Sequence, residues 1–141
     1  MEKRGIGKDL PSLDLIFTEM MENPKSKEAG CAAFFVGFVR GETKEGKAVE
    51  GLFFESYEKK ALEAFDSIIQ SLESRPGITE VRIYHKVGDL KVGDKIVIIS
   101  VMGGHREQVF PVLAEAVERM KLEATIWKKE ITPEKSYWIE Y

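Results

Sequence analysis

The chain has 141 residues, of which 43% are hydrophobic and 32% are charged, a composition typical of a globular protein. Its formal net charge of -3 gives the molecule as a whole no attraction for nucleic acid, so any anion site must be local. No apolar stretch approaches the roughly 20 residues that span a bilayer. We therefore expect one domain over residues 1–141, with neither nucleic acid nor a membrane as its partner.

The start of the chain and its cysteine content indicate a compartment. Residues 1–10 are charged and contain glycine, and no apolar segment of a secretory signal follows them. We expect these residues to be frayed or to pair only with a partner. Cys31 is the single cysteine, so an internal disulfide cannot form. A reducing cytoplasm is the simplest setting for such a chain.

The first half of the chain predicts a short helix, two strands and a longer helix. Ser12 is a suitable N-cap for a helix over residues 13–21. Residues 31–39 and 49–57 are rich in aromatic and aliphatic side chains, and the polar, glycine-containing segment between them predicts a hairpin. Residues 58–73 place apolar side chains at helical spacing, which predicts an amphipathic helix.

The second half continues the pattern of strands and helices. Residues 79–87 alternate as a strand does, and His85, on the apolar face, is interpreted as a core or interface histidine. A turn-rich stretch over 88–94 precedes residues 95–101, whose apolar run is typical of a central strand. The remaining predicted elements are a helix over 106–122 and strands over 125–131 and 137–141.

This order of elements, α-β-β-α-β-β-α-β-β, determines the predicted fold class. Pairs of strands that alternate with helices favour an α+β fold. We expect an antiparallel or mixed sheet packed by helices.

Two groups of basic residues could hold an anion. Gly104, His105 and Arg106 join backbone N–H groups at a helix start to a titratable donor and a fixed cation. Lys121 lies in the last turn of that helix and Lys128 in the next strand, so both ammonium groups could face one cleft. Clustered cations are a recognised route to a reactive lysine. Taken singly, each lysine is better explained as structural, Lys121 as a complement to the helix dipole and Lys128 as a strand residue that faces water.

Arg40 adds a third candidate, because it ends a predicted strand just before a glycine-containing loop. Its guanidinium could bind a phosphate or a carboxylate, or it could simply close the strand at the surface. No cysteine or histidine spacing suggests a metal. The chain contains neither a dinucleotide-binding glycine motif nor a phosphate-binding loop motif, so no cofactor is predicted.

Several segments, taken in order, resemble one protein family. They lie at residues 35–40, 54–57, 85–88, 93–94, 104–106, 121 and 127–130. In this order and spacing they resemble the large, catalytic subunit of molybdopterin synthase, the MoaE family, over about residues 13–140. The chain departs from the family pattern at Lys86, where arginine is usual, and at Thr125, where a proline often stands.

The resemblance implies a fold of the α/β-hammerhead type and a sulfurtransferase of molybdenum cofactor biosynthesis. Such an enzyme converts cyclic pyranopterin monophosphate into molybdopterin by inserting two sulfurs as a dithiolene. The sulfur comes from the C-terminal glycine thiocarboxylate of a small ubiquitin-like carrier. Members assemble as a homodimer of large subunits with one carrier at each end, a heterotetramer, and the carrier tail enters the large subunit's pocket.

The resemblance also implies which residues form the site. Lys121 and Lys128 fall on the family's two catalytic lysines, although neither receives an individual role. The residues expected to bind the substrate, together with both lysines, are Phe38, Val39, Arg40, His105, Arg106, Lys129 and Glu130.

A second class of function stays open from the residues alone. The chain could be a non-catalytic binding module whose basic cleft holds a phosphate ligand or a partner's C-terminal carboxylate. Binding of a thiocarboxylated carrier and the cyclic pterin without dithiolene formation would distinguish this module from the enzyme.

Overall fold

The apolar patterns of the sequence form strands and helices throughout the computed structural model, which describes residues 1–139. A 3-10 turn over Ser26–Glu28 follows the first helix. The strands are β1 (Arg4–Gly7), β2 (Cys31–Phe38), β3 (Gly51–Ser56), β4 (Ile78–Lys86), β5 (Gly88–Lys91), β6 (Lys95–Gly103), β7 (Ile126–Ile131) and β8 (Ser136–Ile139), and the helices are α1 (Leu13–Met21), α2 (Glu58–Glu73) and α3 (Arg106–Glu123).

The helices follow the sequence signals closely. The hydroxyl oxygen of Ser12 accepts a hydrogen bond from the backbone N–H of Leu15 at 3.1 Å, which caps α1 as predicted. The predicted bounds of α1 and α2 agree with the structure, and α3 extends one residue further than predicted. Pro111 lies inside α3, within the second turn, where its missing N–H removes the hydrogen bond that the Glu107 carbonyl would otherwise accept.

The first sheet forms the main core and has the strand order β1-β4-β6-β2. Strand β6 is central, as predicted, and pairs antiparallel with both β4 and β2. Helices α2 and α3 cover one face of this sheet and α1 covers the other. The fully buried side chains of the two faces include Phe65, Leu72, Ile83 and Ile99 on the first, and Ile16, Met20, Ile98 and Met102 on the second.

Residues 4–7 depart from the expectation that the N-terminus is frayed or pairs only with a partner. They form β1, which pairs in parallel with β4 in the register Arg4 to Ile83. Ile6 packs against the main core. A short parallel strand whose partner lies almost 80 residues away has no local sequence signal, which explains why it was not predicted.

The second sheet has the order β5-β3-β7-β8, and all its pairs are antiparallel. Its inner face contributes Leu52, Phe54 and Leu90 to a smaller core, which Val39 completes. The fold class is therefore α+β, as predicted, with one mixed and one antiparallel sheet.

The predicted hairpin between residues 31–39 and 49–57 is wrong. Strand β2 pairs with β6 in the first sheet, whereas β3 pairs with β5 and β7 in the second. Val39 exchanges backbone hydrogen bonds with Gly93 and Asp94, and this contact directs the chain out of the first sheet. The stretch predicted as turns over 88–94 includes β5, which borders β3.

The last strand is close to its predicted position. It begins one residue earlier than expected, at Ser136, and pairs with β7. The predicted end of this strand, at Glu140 and Tyr141, lies outside the described residues.

Candidate active site

Lys121 and Lys128 line the same cavity, of about 290 Å³, between the two sheets. Helix α3 ends at Glu123, and β7 begins at Ile126, so a connection of two residues returns the chain toward the helix end. This short connection places the last turn of α3 and the first half of β7 in the same wall of the cavity. The cavity is otherwise mainly apolar, with Phe35, Phe38, Phe54, Ile96, Val97 and Met120 among its lining residues.

A second cavity, of about 570 Å³, adjoins the first and contains Arg40 and Glu130 in its wall. Phe38, Lys44 and Lys128 line both cavities, so the two form a continuous depression. The first cavity has Lys44, Lys121 and Lys128 and no carboxylate among the described residues of its wall, which suits an anionic group. The second has Arg40, Lys44 and Lys128 together with Glu42, Glu45 and Glu130, so its charges are balanced. The basic residue that sequence analysis missed is Lys44, which lies in an irregular loop without any motif.

Arg40 and Glu130 have partners at the rim of the second cavity. The Nε of Arg40 donates to the carbonyl oxygen of Glu42 at 2.9 Å, which folds the side chain along the loop. The hydroxyl of Tyr137 donates to the carboxylate of Glu130. This hydrogen bond raises the pKa of Tyr137 above its ordinary value, because the neighbouring carboxylate disfavours the phenolate.

Strand alternation places Lys129 on the opposite face of β7 from Lys128. Its ammonium lies 5.3 Å from the ring centroid of Phe53 and 5.3 Å from that of Trp138, on the outer face of the second sheet. Val39 is also turned away from the cavities, since it is buried in the small core beneath the second sheet. Neither side chain lines the site for which the sequence predicted it.

His105 and Arg106 lie at the opposite end of α3 from Lys121. A helix rises 1.5 Å per residue, so the 15 residues from Arg106 to Lys121 span roughly 22 Å. Both side chains are exposed, and Arg106 lies 3.6 Å from Glu107. One chain therefore does not bring this corner to the lysine cavity, because a straight helix keeps its two ends apart.

His85 is buried as predicted, with an exposure of 4%, but its ring also lines the lysine cavity. Its Nδ1 lies 2.7 Å from the carbonyl oxygen of Lys86, and its ring packs edge-to-face on Phe54. Burial lowers the pKa of His85 to about 4, because the charged form loses its hydration. A histidine on the apolar face of a strand gives no sequence signal that separates a core position from a cavity wall.

The two departures from the family pattern lie close to the site. The hydroxyl of Thr125 donates to the carbonyl oxygen of Tyr57 at 3.3 Å, and the Tyr57 N–H donates to the Thr125 carbonyl at 3.1 Å. These bonds hold the start of β7 to the start of α2. At the second departure, Lys86 supplies the backbone carbonyl that orients His85.

Within residues 1–139 no group of three or more histidine, cysteine, aspartate or glutamate side chains is placed to hold a metal ion. In the same part of the chain, no helix has the length and apolar character needed to cross a membrane.

The protein is thus an α+β protein of two sheets, with a pair of lysines in one cavity where the last helix turns into β7. Residues 12–123 match the family model described as "MoaE protein", and the chain belongs to this family.

Known proteins agree with this assignment. A molybdopterin synthase structure from Staphylococcus aureus superposes with a TM-score of 0.87 and 29% identity, over 100% of this chain and 99% of that one. A molybdopterin synthase catalytic subunit from Pyrococcus abyssi is 32% identical over 90% of this chain and 85% of its own length. A probable molybdopterin synthase from Haloferax volcanii is 33% identical over 91% of this chain, which spans 49% of that relative's length.

A fourth protein shows the fold alone, at 22% identity and a TM-score of 0.78. It comes from a complex of subunits 1 and 2 of the molybdopterin-converting factor of Helicobacter pylori. The comparisons confirm the predicted family, the α+β fold class and the interpretation of the chain as a catalytic subunit of the molybdopterin synthase type.

Proposed function

We propose that this chain transfers two sulfurs, one from each of two carrier thiocarboxylates, to cyclic pyranopterin monophosphate and so forms the dithiolene of molybdopterin, while water releases each carrier as its carboxylate. The observation that carries the proposal is the position of Lys121 and Lys128 in one cavity, in a chain that belongs to the MoaE family. Both reactants are anionic, one through a phosphate and the other through a thiocarboxylate. A mainly apolar cavity with two ammonium groups strengthens the attraction for such groups, because less water screens the charges.

In this proposal each of the two adjoining cavities binds a different anionic group. The thiocarboxylate enters the smaller cavity, where Lys121 and Lys128 orient it and stabilise the charge that develops as sulfur attacks the pterin side chain. Arg40, in the wall of the larger cavity, binds the phosphate as the cyclic ester opens. Phe38 lines both cavities, and its exposed ring is available to contact both reactants.

The carrier is the proposed protein partner, and the cytoplasm is the proposed compartment. The Helicobacter pylori protein with the same fold is seen in a complex of two subunits of the converting factor, which supports a small subunit as the partner here. A flexible C-terminal tail fits a cavity that is open to solvent at the junction of two sheets. The whole chain, residues 1–141, acts as one catalytic domain.

A homodimer would supply the site with His105 and Arg106. Strand β2 is an edge of the first sheet, and the interior of its eight-residue sequence carries no charge, a type of edge that proteins generally cover. The pairing of Cys31 with Gly103 puts the His105 corner near the start of β2, whereas Phe38 at its end lines the cavities. Antiparallel pairing of two β2 edges about a twofold axis brings each corner toward the other subunit's cavities.

The spans involved support this arrangement. Seven steps of about 3.4 Å make β2 roughly 24 Å long, which is close to the roughly 22 Å that separates the two ends of α3. Helix α3 holds the His105 corner away from the cavities of its own subunit, and pairing of the two β2 strands would place that corner near the cavities of the other subunit.

Mixed dimers test the shared site. Arg106→Ala and Lys121→Ala are each expected to be inactive alone. Unfolding and refolding them together should restore up to about a quarter of the wild-type activity per subunit, since hybrid dimers contain one intact site. Absence of any recovery, with dimers confirmed by light scattering, would contradict the shared site without affecting the assignment of the lysines.

The reaction itself is tested with purified carrier thiocarboxylate and cyclic pyranopterin monophosphate, by detection of the dithiolene product. The wild-type chain is expected to form product, whereas Lys121→Ala and Lys128→Ala are expected to bind the carrier without turnover. Carrier and pterin binding by the wild type without product would favour the non-catalytic binding module. Near-normal turnover in both variants would refute the assignment of the lysines.

A further inference from the structure

A buried histidine lies in the cavity wall, and the reaction proposed above gives it no role. His85 is on β4, only 4% exposed, yet it lines the same cavity as Lys121 and Lys128. It makes no ion pair among the described residues. A polar ring of this kind at an apolar wall requires a partner or a function, because an unsatisfied polar atom costs free energy when it is buried.

The ring of His85 is fixed in one orientation and one tautomer. A carbonyl oxygen only accepts hydrogen bonds, so the 2.7 Å contact with the Lys86 carbonyl places the proton on Nδ1. The edge-to-face contact with Phe54, with ring centroids 5.0 Å apart and planes at 70°, restrains rotation about the side chain. With the proton on Nδ1, the other ring nitrogen, Nε2, carries a lone pair and can only accept.

The second ring nitrogen, Nε2, has no hydrogen-bond partner among the described residues. The described side-chain polar atoms that lack both a hydrogen-bond partner and contact with solvent are Ser100 Oγ and Gln108 Oε1, and Nε2 is not one of them. Nε2 is therefore unpaired without being sealed from solvent. Since His85 lines the cavity, this is where the atom meets solvent.

We infer that His85 contacts the substrate and that its Nε2 accepts a hydrogen bond from an N–H or O–H group of the pterin. This inference rests on the proposed function. The phosphate and the thiocarboxylate offer only acceptors at neutral pH, so Lys121 and Lys128 suit them and a lone pair does not. The pterin ring and its side chain carry the donors. A neutral acceptor among ammonium groups thus distinguishes the pterin portion from the anionic portions and fixes which way the substrate lies.

The charge of the ring supports this role. Burial holds the pKa of His85 at about 4, so the ring is neutral near pH 7 and Nε2 keeps its lone pair. The cations that line the same cavity, Lys44, Lys121 and Lys128, also disfavour a further positive charge there. Protonation would turn the acceptor into a donor and remove the proposed contact.

Two substitutions separate a hydrogen-bond acceptor from a packing residue. His85→Phe keeps an aromatic ring against Phe54 but removes the acceptor, and we expect kcat/KM to fall about tenfold to a hundredfold, since a buried donor of the substrate loses its partner. His85→Gln loses the ring but places an amide oxygen near Nε2, and we expect it to retain activity within about fivefold. The melting temperature of both variants is measured alongside.

The opposite pattern would overturn the inference. Wild-type kcat/KM in His85→Phe shows that the acceptor is not used, and an equal loss in both variants shows that His85 acts through packing. In His85→Phe we expect KM for the cyclic pterin to rise and the affinity for the carrier to stay unchanged, because the contact is to the pterin.

A second measurement does not depend on turnover. In protein with ¹⁵N-labelled histidine, the Nε2 resonance of His85 is expected to have the frequency of an unprotonated nitrogen and to shift when cyclic pyranopterin monophosphate is added. No shift at saturating pterin would overturn the inference. If the wild type forms no product but the Nε2 resonance shifts, the proposed reaction fails and the contact with the pterin stands.

Discussion

The two sheets of the molecule differ in how they are covered, and the difference separates stability from chemistry. Helices cover both faces of the first sheet, and even its buried charges, Glu80 and Arg82, are paired with each other. The second sheet has one covered face, and its outer face exposes half of Trp127 and of Trp138. The cavities lie between the two sheets, where the rigid core of one meets the polar strands of the other.

The largest expected effect comes from breaking the buried ion pair of the first sheet. The Nε of Arg82 lies 2.5 Å from the Glu80 carboxylate, and both side chains are at most 5% exposed. Glu80→Ala leaves the guanidinium without a counter-charge in the core, so the free energy of unfolding should fall by about 3–5 kcal/mol. Glu55→Ala, an exposed strand position of the second sheet, should change it by less than about 0.5 kcal/mol. Denaturant unfolding measures both, and equal losses would contradict the distinction between the sheets.

The junction between the sheets should make stability depend on pH through His85. The pKa of this residue is about 4 in the folded chain and near 6.5 when unfolded, so the unfolded state binds more protons between these values. Stability from this group is therefore complete above pH 6.5 and is lost as the pH falls toward 4, by about 3 kcal/mol. Unfolding free energies of the wild type and of His85→Phe should diverge in this range. Parallel pH profiles would refute a neutral, buried ring.

Alternation along β7 gives the sharpest comparison for activity. Lys128→Ala should lower kcat by at least about a hundredfold, because it removes a cation from the cavity. Lys129→Ala, the next residue on the opposite face, should stay within about threefold of the wild type. The turnover assay with carrier thiocarboxylate measures both variants. Similar losses would mean that the charge of the strand matters and that the direction of the side chain does not.

The sequence predicted the individual helices and strands better than the pairing of the strands, for a physical reason. Helices α1 and α2 and the central strand β6 are determined by local patterns, a Ser12 cap and runs of apolar side chains, so their bounds were predicted closely. The assignment of β2 and β3 to different sheets depends on partners 34 to 80 residues away. Local propensity contains no information on such pairings, and the false hairpin resulted from choosing the nearest strand.

The candidate site shows the same limit. The lysines were predicted to share a cleft because a short connection joins their elements, and both line one cavity in the structure. The corner at His105 and Arg106 was grouped with them by family resemblance, although the length of α3 keeps the two groups apart within one chain. Strand periodicity could have placed Lys129 on the outer face, since it directly follows Lys128.

The smallest expected effect concerns that outer face, where Lys129 lies between two aromatic rings. Its ammonium is 5.3 Å from each of the Phe53 and Trp138 centroids, and a cation at a partly exposed ring contributes about 0.5–1 kcal/mol. Lys129→Met keeps the aliphatic stem and removes the charge, so the unfolding free energy should fall by about that amount. Lys91→Met, an exposed lysine of the neighbouring edge strand, is the matched control and should be neutral.

A double-mutant cycle with Trp138→Leu isolates the interaction between charge and ring. Coupling of about 0.5 kcal/mol or more between positions 129 and 138 is expected if the rings attract the ammonium, whereas additive losses would assign the effect to packing alone. The backbone ladder of β7 sets the opposite directions of Lys128 and Lys129, so the contact on the outer face adds stability to the sheet without reaching the cavity. The variants at positions 129 and 138 are therefore expected to lower the unfolding free energy while turnover stays near that of the wild type.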